Sequence, residues 1–412
     1  MNEHQETLEM EDTKPSYLPK LIGFSIIIYA CILIIHGFVI YYLDTQFSIF
    51  ISDQLVFFNR GIGIIRGDLP YRDFYTHAAP LSPYLWAPIV LISMLFTWNN
   101  STEYLTYETF MDSSSMLFSS YVFRVFFAIC LILSAVLLYK ILEKKGTKRA
   151  FWISLSYSIN PYFLYLVSFW GSDECILPLL IILPIYLLEK EKYYLVTLSL
   201  IVGTGLKYFP ILLLPLFFVY NHNLRSSLIQ LVLFLIGIIA SYLPFYLIAP
   251  EAFSDQFNYV EDNARSQGLA ALDAHLSQSG LTLGSTFEFL TLTIMFVGVI
   301  STIIILTRNT WFFEKTIVLL APFLIFFPKI QFSYFVIIYP FIFVMIFTKT
   351  TSNFVYFILF LSSILGGIAA DYILTYTGTN IFSYIAAWVI TLILYSSLLF
   401  SLLHMLLYRT RN

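Results

Sequence analysis

The chain has 412 residues, of which 59% are hydrophobic and 11% charged, and its mean hydropathy is +0.80. That balance excludes a soluble globular domain and marks a polytopic, all-α membrane protein. A formal net charge of −3 without any basic stripe beyond residues 143–149 offers nothing to nucleic acid, and three scattered cysteines make neither a disulfide framework nor a metal site.

Residues 1–20 read as a polar cytoplasmic tail and 21–412 as one transmembrane domain. The apolar run 21–43 is 23 residues long, enough for a span that needs about 20. It has no small-residue cleavage site, so it reads as a retained span or signal anchor. A long outer segment follows at 44–117. Within it, 46–66 is too polar to span and reads as a helix lying at the interface. The stretch 81–98 is apolar but opens among prolines. If it spanned, Lys144, Lys145, Lys148 and Arg149 would face outward against the positive-inside rule, so it reads as interfacial or re-entrant.

Spans are then expected at 118–142, 150–170, 175–188, 228–249, 283–306, 354–370 and 381–406. Two longer apolar blocks, 193–220 and 316–348, are interrupted by Lys207-Tyr208-Phe209-Pro210 and by Pro328-Lys329-Ile330-Gln331. Split into two short helices each, they give about twelve spans with both termini cytoplasmic; unsplit, they give about ten. Charge sorting favours the split, because the unsplit form turns Arg225, Arg308 and Lys315 outward. The loop 250–282 is the second outer segment, and the sequons at Asn99 and Asn100 fall in the first.

The cations carry the functional signal. Of 22 Lys and Arg residues, 15 lie in segments assigned to the cytoplasm. Arg60, Arg66, Arg72, Lys207, Arg265 and Lys329 fall on the opposite side, and Arg124 lies inside a span. Cations against the prevailing bias ask for a reason, and an anionic ligand handled at the outer surface supplies one. Interrupted apolar segments are themselves pointers to a binding site in membrane proteins.

Asp53 lies on an otherwise apolar interfacial helix, where burial would raise its pKa and suit it to act as a base. Lys207 and Lys329 suit a phosphate, with snorkelling to headgroups as the alternative. Arg72 either joins them or pairs with Asp68 or Asp73. Asp173 and Glu174 sit at the tip of a tight helical hairpin, where they orient an acceptor or a metal, or form a solvated turn. His77 has no companion at metal-ligand spacing and is left a loop or sugar-contact role; Arg124 either snorkels or faces the site.

Four ordered motifs carry a resemblance. Ser52-Asp53-Gln54 is followed by Arg66-Gly67-Asp68-Leu69-Pro70-Tyr71-Arg72-Asp73-Phe74 and a proline-led apolar helix. Asn160-Pro161 precedes Gly171-Ser172-Asp173-Glu174; then come Gly205-Leu206-Lys207-Tyr208-Phe209-Pro210 and Pro328-Lys329-Ile330-Gln331-Phe332-Ser333-Tyr334-Phe335. Together they resemble the GT-C class of polyprenyl-phosphate-sugar-dependent glycosyltransferases. The likeness is to the GPI mannosyltransferase I catalytic subunits and to the protein-mannosyltransferase-like branch. The resemblance implies a GT-C bundle of about twelve transmembrane helices with interfacial helices in the first outer loop. It implies inverting transfer of a sugar, mannose above all, from a dolichyl or polyprenyl-phosphate donor to a lipid or protein acceptor. Such an enzyme sits in the plasma membrane of a prokaryote or the endoplasmic reticulum of a eukaryote. Asp53 would be the base, with Lys207, Lys329 and Arg72 on the donor phosphate. Asp173, Glu174, His77, Asp73 and Arg124 would stand near the acceptor or behind the first rank. The chain departs from its relatives where their acidic pair becomes Asp53-Gln54. A divalent cation, which two carboxylates would favour, thereby loses a ligand. The competing reading is a multi-pass transporter or lipid-linked sugar flippase, for which an inverted repeat is expected and none is visible.

Overall fold

The structure is a computed structural model that describes residues 16–43, 52–97, 104–106, 114–216, 223–255, 292–300, 312–327 and 332–347. Among these residues the architecture is helical, apart from a single bridge between Pro70 and Phe74. Three of the described helices are long and apolar enough to cross a membrane: Leu18–Phe38, Phe118–Lys145 and Leu224–Ile248. Their side chains give no other option than helix, since hydrocarbon leaves every backbone group to be satisfied internally. The expected spans at 354–370 and 381–406, the sequons and most of the 250–282 loop and the 283–306 span lie outside the described residues.

Helix α1 (Leu18–Leu43) leans on α4 (Ser114–Leu142). With 29 residues, α4 is about 43 Å long, more than the hydrocarbon thickness, so it crosses at a tilt or projects beyond it. Between them in sequence, α2 (Ser52–Arg66) and α3 (Ser82–Thr97) form a helical pair. Phe57 stacks on Trp86 at 4.5 Å, and Gly61 lets α2 approach the Trp86 carbonyl, where an added Cβ would sit 3.0 Å from that oxygen. The two helices expected at the interface are therefore present and packed on α4 through Phe123 and Phe127. Helix α9 (Leu224–Ile248) buries Ser227, Gln230 and Phe234 and exposes Leu228, Val232, Ile236 and Leu247, an apolar outer face that suits lipid.

The expected span 150–170 is not one continuous α-helix. Helix α5 (Thr147–Ser158) stops before Asn160, whose Oδ1 accepts from Tyr162 N at 2.8 Å and starts α6 (Pro161–Tyr165) with proline at its first turn. The chain then widens into a π-helical turn, Leu166–Trp170, and stops at Gly171 in the left-handed conformation (φ 65°). Helix α7 (Leu177–Glu189) leads back, and α8 (Tyr193–Leu206) follows it.

The first interrupted block breaks where the sequence places lysine and proline together. Helix α8 ends at Leu206, Lys207 is extended (φ −149°, ψ 135°), and a 3-10 turn covers Phe209–Leu213. In the second block, α10 (Phe312–Phe326) and α11 (Tyr339–Phe347) flank a 3-10 turn at Phe332–Ile337; Lys329 lies outside the described residues. Helices α10 and α11 turn back on each other. Lys145 sits 5.8 Å from the Phe313 ring, and Arg149 donates to the Phe347 carbonyl, so both distal ends meet the basic turn 143–149. At the other end, Phe209 packs on Phe323 at 4.8 Å and Tyr334 at 5.0 Å, which brings the two breaks together. The described residues thus sort their charges to two ends, Lys145 and Arg149 at one and Lys207 at the other.

Candidate functional site

Helix α2 positions the first acid. Asp53 sits in its first turn, and Arg60, seven residues on, shares its face two turns away. Asp53 keeps part of its surface open, and its Oδ2 accepts from the Trp170 indole at 3.0 Å. Burial and the nearby Asp173 carboxylate push its pKa above the ordinary 3.8, while the Trp170 hydrogen bond, Lys207 and Arg60 oppose them. That is the direction a base on an apolar helix is expected to take.

The hairpin after Gly171 brings the second and third acids. A 3-10 turn, Asp173–Ile176, holds Asp173 and Glu174 at 7% and 6% exposure, so this tip is no solvated turn. Lys207, released from the end of α8, reaches across to Asp173 Oδ1 at 2.8 Å. Burial pushes the Glu174 carboxyl up to about 8, with Lys207 pulling the other way and Asp173 and Asp53 adding to the rise. Tyr334, in the turn after the second break, lies within electrostatic reach of Lys207, Glu174, Asp173 and Asp53. Four separate segments, around 53, 173, 207 and 334, therefore converge on one polar cluster at the end of the bundle opposite Lys145.

The Gly/Pro segment 67–81 is a folded knuckle beside this cluster. Gly67 (φ 86°) ends α2, and Tyr71 adopts φ 69°, a strained choice for a side chain that is 4% exposed. Its hydroxyl donates to the Ala78 carbonyl at 2.6 Å, and its ring packs edge-on against Phe253 at 5.1 Å. Asp73 accepts from Leu69 N at 2.8 Å and from Arg72 on both oxygens, which holds its carboxyl down at about 2. Arg72 is exposed in this fork, and His77 lies edge-on to Tyr75 at 4.3 Å. These three candidates belong to the knuckle, while Asp53, Asp173, Glu174 and Lys207 form the cluster. The loop is stitched to the first break by Leu81 N donating to Gly205 O at 2.8 Å, and a Cβ on Gly205 would fall 2.4 Å from Leu81.

Arg124 neither snorkels nor enters the cluster. It is fully buried, and its guanidinium donates to the carbonyls of Val167 (3.0 Å), Ser168 and, more loosely, Phe169 (3.4 Å). Gln54 takes the next two, donating to Trp170 O at 3.5 Å and Gly171 O at 3.2 Å. Ser120 joins the pair, donating to Gln54 Oε1 and accepting from Arg124 Nε at 3.2 Å. Five successive carbonyls at a helix end thus accept from two side chains. Gln54 has to be an amide here, since a carboxylate has no N–H to give.

Sequence reasoning missed Arg60, Trp170 and Tyr334 as members of the site. The seven-residue spacing from Asp53 could have drawn attention to Arg60; Trp170 had no signal beyond preceding the Gly-Ser-Asp-Glu string. Among the described residues no three His, Cys, Asp or Glu side chains are arranged to hold a metal ion. No protein family model matches this chain, and no curated protein is significantly similar to it. All four sequence motifs contribute to one cluster, through Asp53, Asp173 with Glu174, Lys207 and Tyr334.

Proposed function

We propose that this protein is a membrane glycosyltransferase that moves a sugar, mannose by resemblance, from a dolichyl or polyprenyl-phosphate donor to a lipid or protein acceptor on the non-cytoplasmic face. The single observation that carries the reading is the meeting of Asp53 with the Asp173–Lys207 pair, three residues drawn from three ordered motifs. Asp53, partly open and raised in pKa, takes the proton of the acceptor hydroxyl. The acceptor oxygen forms its bond to the anomeric carbon as the bond to the phosphate oxygen breaks, and the lipid phosphate leaves with the electron pair. Lys207 faces the charge that develops on that oxygen. Lys329 supplies a second cation by the motif; Arg72 is held by Asp73 and acts, if on the donor, from the rim. Asp173 keeps Lys207 in place, and Glu174, neutral near pH 7, offers a hydroxyl hydrogen to a sugar or acceptor oxygen.

Helix breaks with a buried lysine also belong to transporters and flippases. The deciding experiment incubates the purified protein in liposomes with radiolabelled polyprenyl-phosphate sugars and a panel of lipid and peptide acceptors. Label appearing on an acceptor, and absent with Asp53→Asn, supports transfer. Label that only changes leaflet, with no acceptor modified, establishes the flippase instead.

A further inference from the structure

The described residues that satisfy the end of the π-helical turn are not neutral bystanders to the acid cluster. Gln54 is the immediate neighbour of Asp53 on α2, and Trp170, whose carbonyl Gln54 holds, gives its indole hydrogen to Asp53. A closed circuit results: Asp53 to Trp170 through the indole, Trp170 and Gly171 to Gln54 through their carbonyls, and Gln54 back to Asp53 through the backbone. Arg124 anchors this circuit to α4 by holding Val167, Ser168 and Phe169, and Ser120 bridges the two holders. The circuit has no slack at Gly171, where a Cβ would lie 1.5 Å from Gln54 Nε2.

A fully buried guanidinium normally answers a carboxylate, yet Arg124 donates to backbone oxygens and the Ser120 hydroxyl. The backbone oxygens stand at the C-terminal end of the 161–170 helical segment, where the peptide dipoles place partial negative charge. The fork of Arg124 matches several carbonyls at once, which a lysine's single ammonium does not. A span that only needed a cation at a helix end would not need that fork, nor a glutamine continuing it residue by residue.

We infer that Arg124 and Gln54 act together as a positioning clamp that fixes the Trp170 indole against the Asp53 carboxylate, so that the base is placed by two side chains that do not meet the substrate. The consequence for catalysis rests on the reading of Asp53 as base; the clamp itself does not. Arg124 and Gln54 are positioning residues, and their effect passes through Trp170.

The test reads geometry without requiring turnover. The full-length protein carries six tryptophans; labelled with 5-fluorotryptophan in micelles, its Trp170 resonance is assigned by its loss in Trp170→Phe. The resonance shifts with pH as Asp53 titrates, in the company of Asp173, Lys207 and Arg60, and Asp53→Asn abolishes that shift. Arg124→Gln and Arg124→Lys both displace the Trp170 resonance and weaken its response to pH, and leave the other five resonances in place. Ser120→Ala and Gln54→Met each remove part of the circuit and keep the measurement available in folded protein; both move the resonance in the same sense. A Trp170 resonance that titrates as in the wild type in Ser120→Ala and Gln54→Met overturns the clamp, as does full restoration by Arg124→Lys. Where transfer is measured, Arg124→Lys lowers turnover by about 10²-fold with donor KM little changed, as for a base misplaced by a fraction of an ångström to an ångström. Absence of transfer in every protein, wild type included, refutes the transferase and leaves the resonance result standing.

Discussion

Removing Lys207 tests whether the lysine belongs to the acid cluster or merely reaches for headgroups. Its Nζ lies 2.8 Å from Asp173 Oδ1, with 20% and 10% of the two side chains exposed. At that distance the gross attraction is about 6 kcal/mol with an effective dielectric constant of about 20. Much of this is offset by the cost of drying both ions, so the net worth of the pair is small, but stranding one member is not. Lys207→Met leaves Asp173 buried without its cation, and the expected loss of stability is about 3–5 kcal/mol. Asp173→Asn is milder, because Glu174 also lies within electrostatic reach of the lysine. The double variant, Lys207→Met with Asp173→Asn, strands no charge. It should be more stable than the sum of the single losses predicts, with a coupling of about 2 kcal/mol or more in the double-mutant cycle. The assay is reversible unfolding in mixed micelles of rising SDS fraction, followed by circular dichroism. Additivity within about 0.5 kcal/mol would show that the two residues do not interact, and the cluster would lose its organising pair. Turnover in the same proteins separates phosphate binding from snorkelling: a lysine facing the leaving oxygen costs about 10²–10³-fold on removal, whereas a snorkelling lysine leaves specific activity intact.

Asp53→Asn abolishes transfer, by about 10²–10⁴-fold for a lost base, and raises stability at neutral pH. The sign follows from the raised folded-state pKa: ionising Asp53 above the ordinary 3.8 costs the fold stability that is present only at lower pH, and asparagine never ionises. Transfer climbs with pH through a midpoint above 3.8, and Trp170→Phe moves that midpoint higher, since the indole hydrogen bond opposes the rise; a lower midpoint would contradict the assignment. Gly171→Ala destabilises the protein by more than about 2 kcal/mol, as overpacking does. Part of that loss returns when Gln54→Ala makes room, and an unrescued double variant would remove Gln54 from the contact. Single cysteines at Ser114 and Ser266 in a cysteine-free background react with an impermeant thiol reagent from outside; labelling at Ser114 with protection at Ser266 supports the ten-span topology instead.

Polarity and length were enough to recover α2 and α3 as short helices apart from the spans, because Asp53, Asn59 and Arg60 interrupt the one and prolines open the other. Lysine followed by proline likewise announced the break at 207, since neither continues a helix comfortably in hydrocarbon. The burial of Asp173 and Glu174 was not legible. Two adjacent acids at a turn look the same whether water or Lys207 receives them, and only the return of α8 decides it. The span 150–170 gave no sign of its π-helical turn, because its stability comes from Arg124 and Gln54, 43 or more residues away in sequence. Arg124 was legible as a cation inside an apolar run and not as a ligand of carbonyls. The knuckle at 67–81 was visible in its glycine and prolines, but the strained Tyr71 was not.

The scatter of the cluster along the chain bears on how the protein is made. Asp53, Asp173, Lys207 and Tyr334 are synthesised in that order, with membrane helices inserted between them. Lys207 follows Asp173 along the chain, so Asp173 leaves the exit tunnel before its cation does. The nascent chain therefore passes through a stage in which a carboxylate at a hairpin tip depends on water or headgroups, and it leaves that stage only when Lys207 arrives. Before then, extraction by membrane quality control competes with completion, because the half-built bundle still exposes polar groups that the finished one hides. A translational delay that holds back the emergence of Lys207 would for that reason cost more yield than the same delay placed after the two have met.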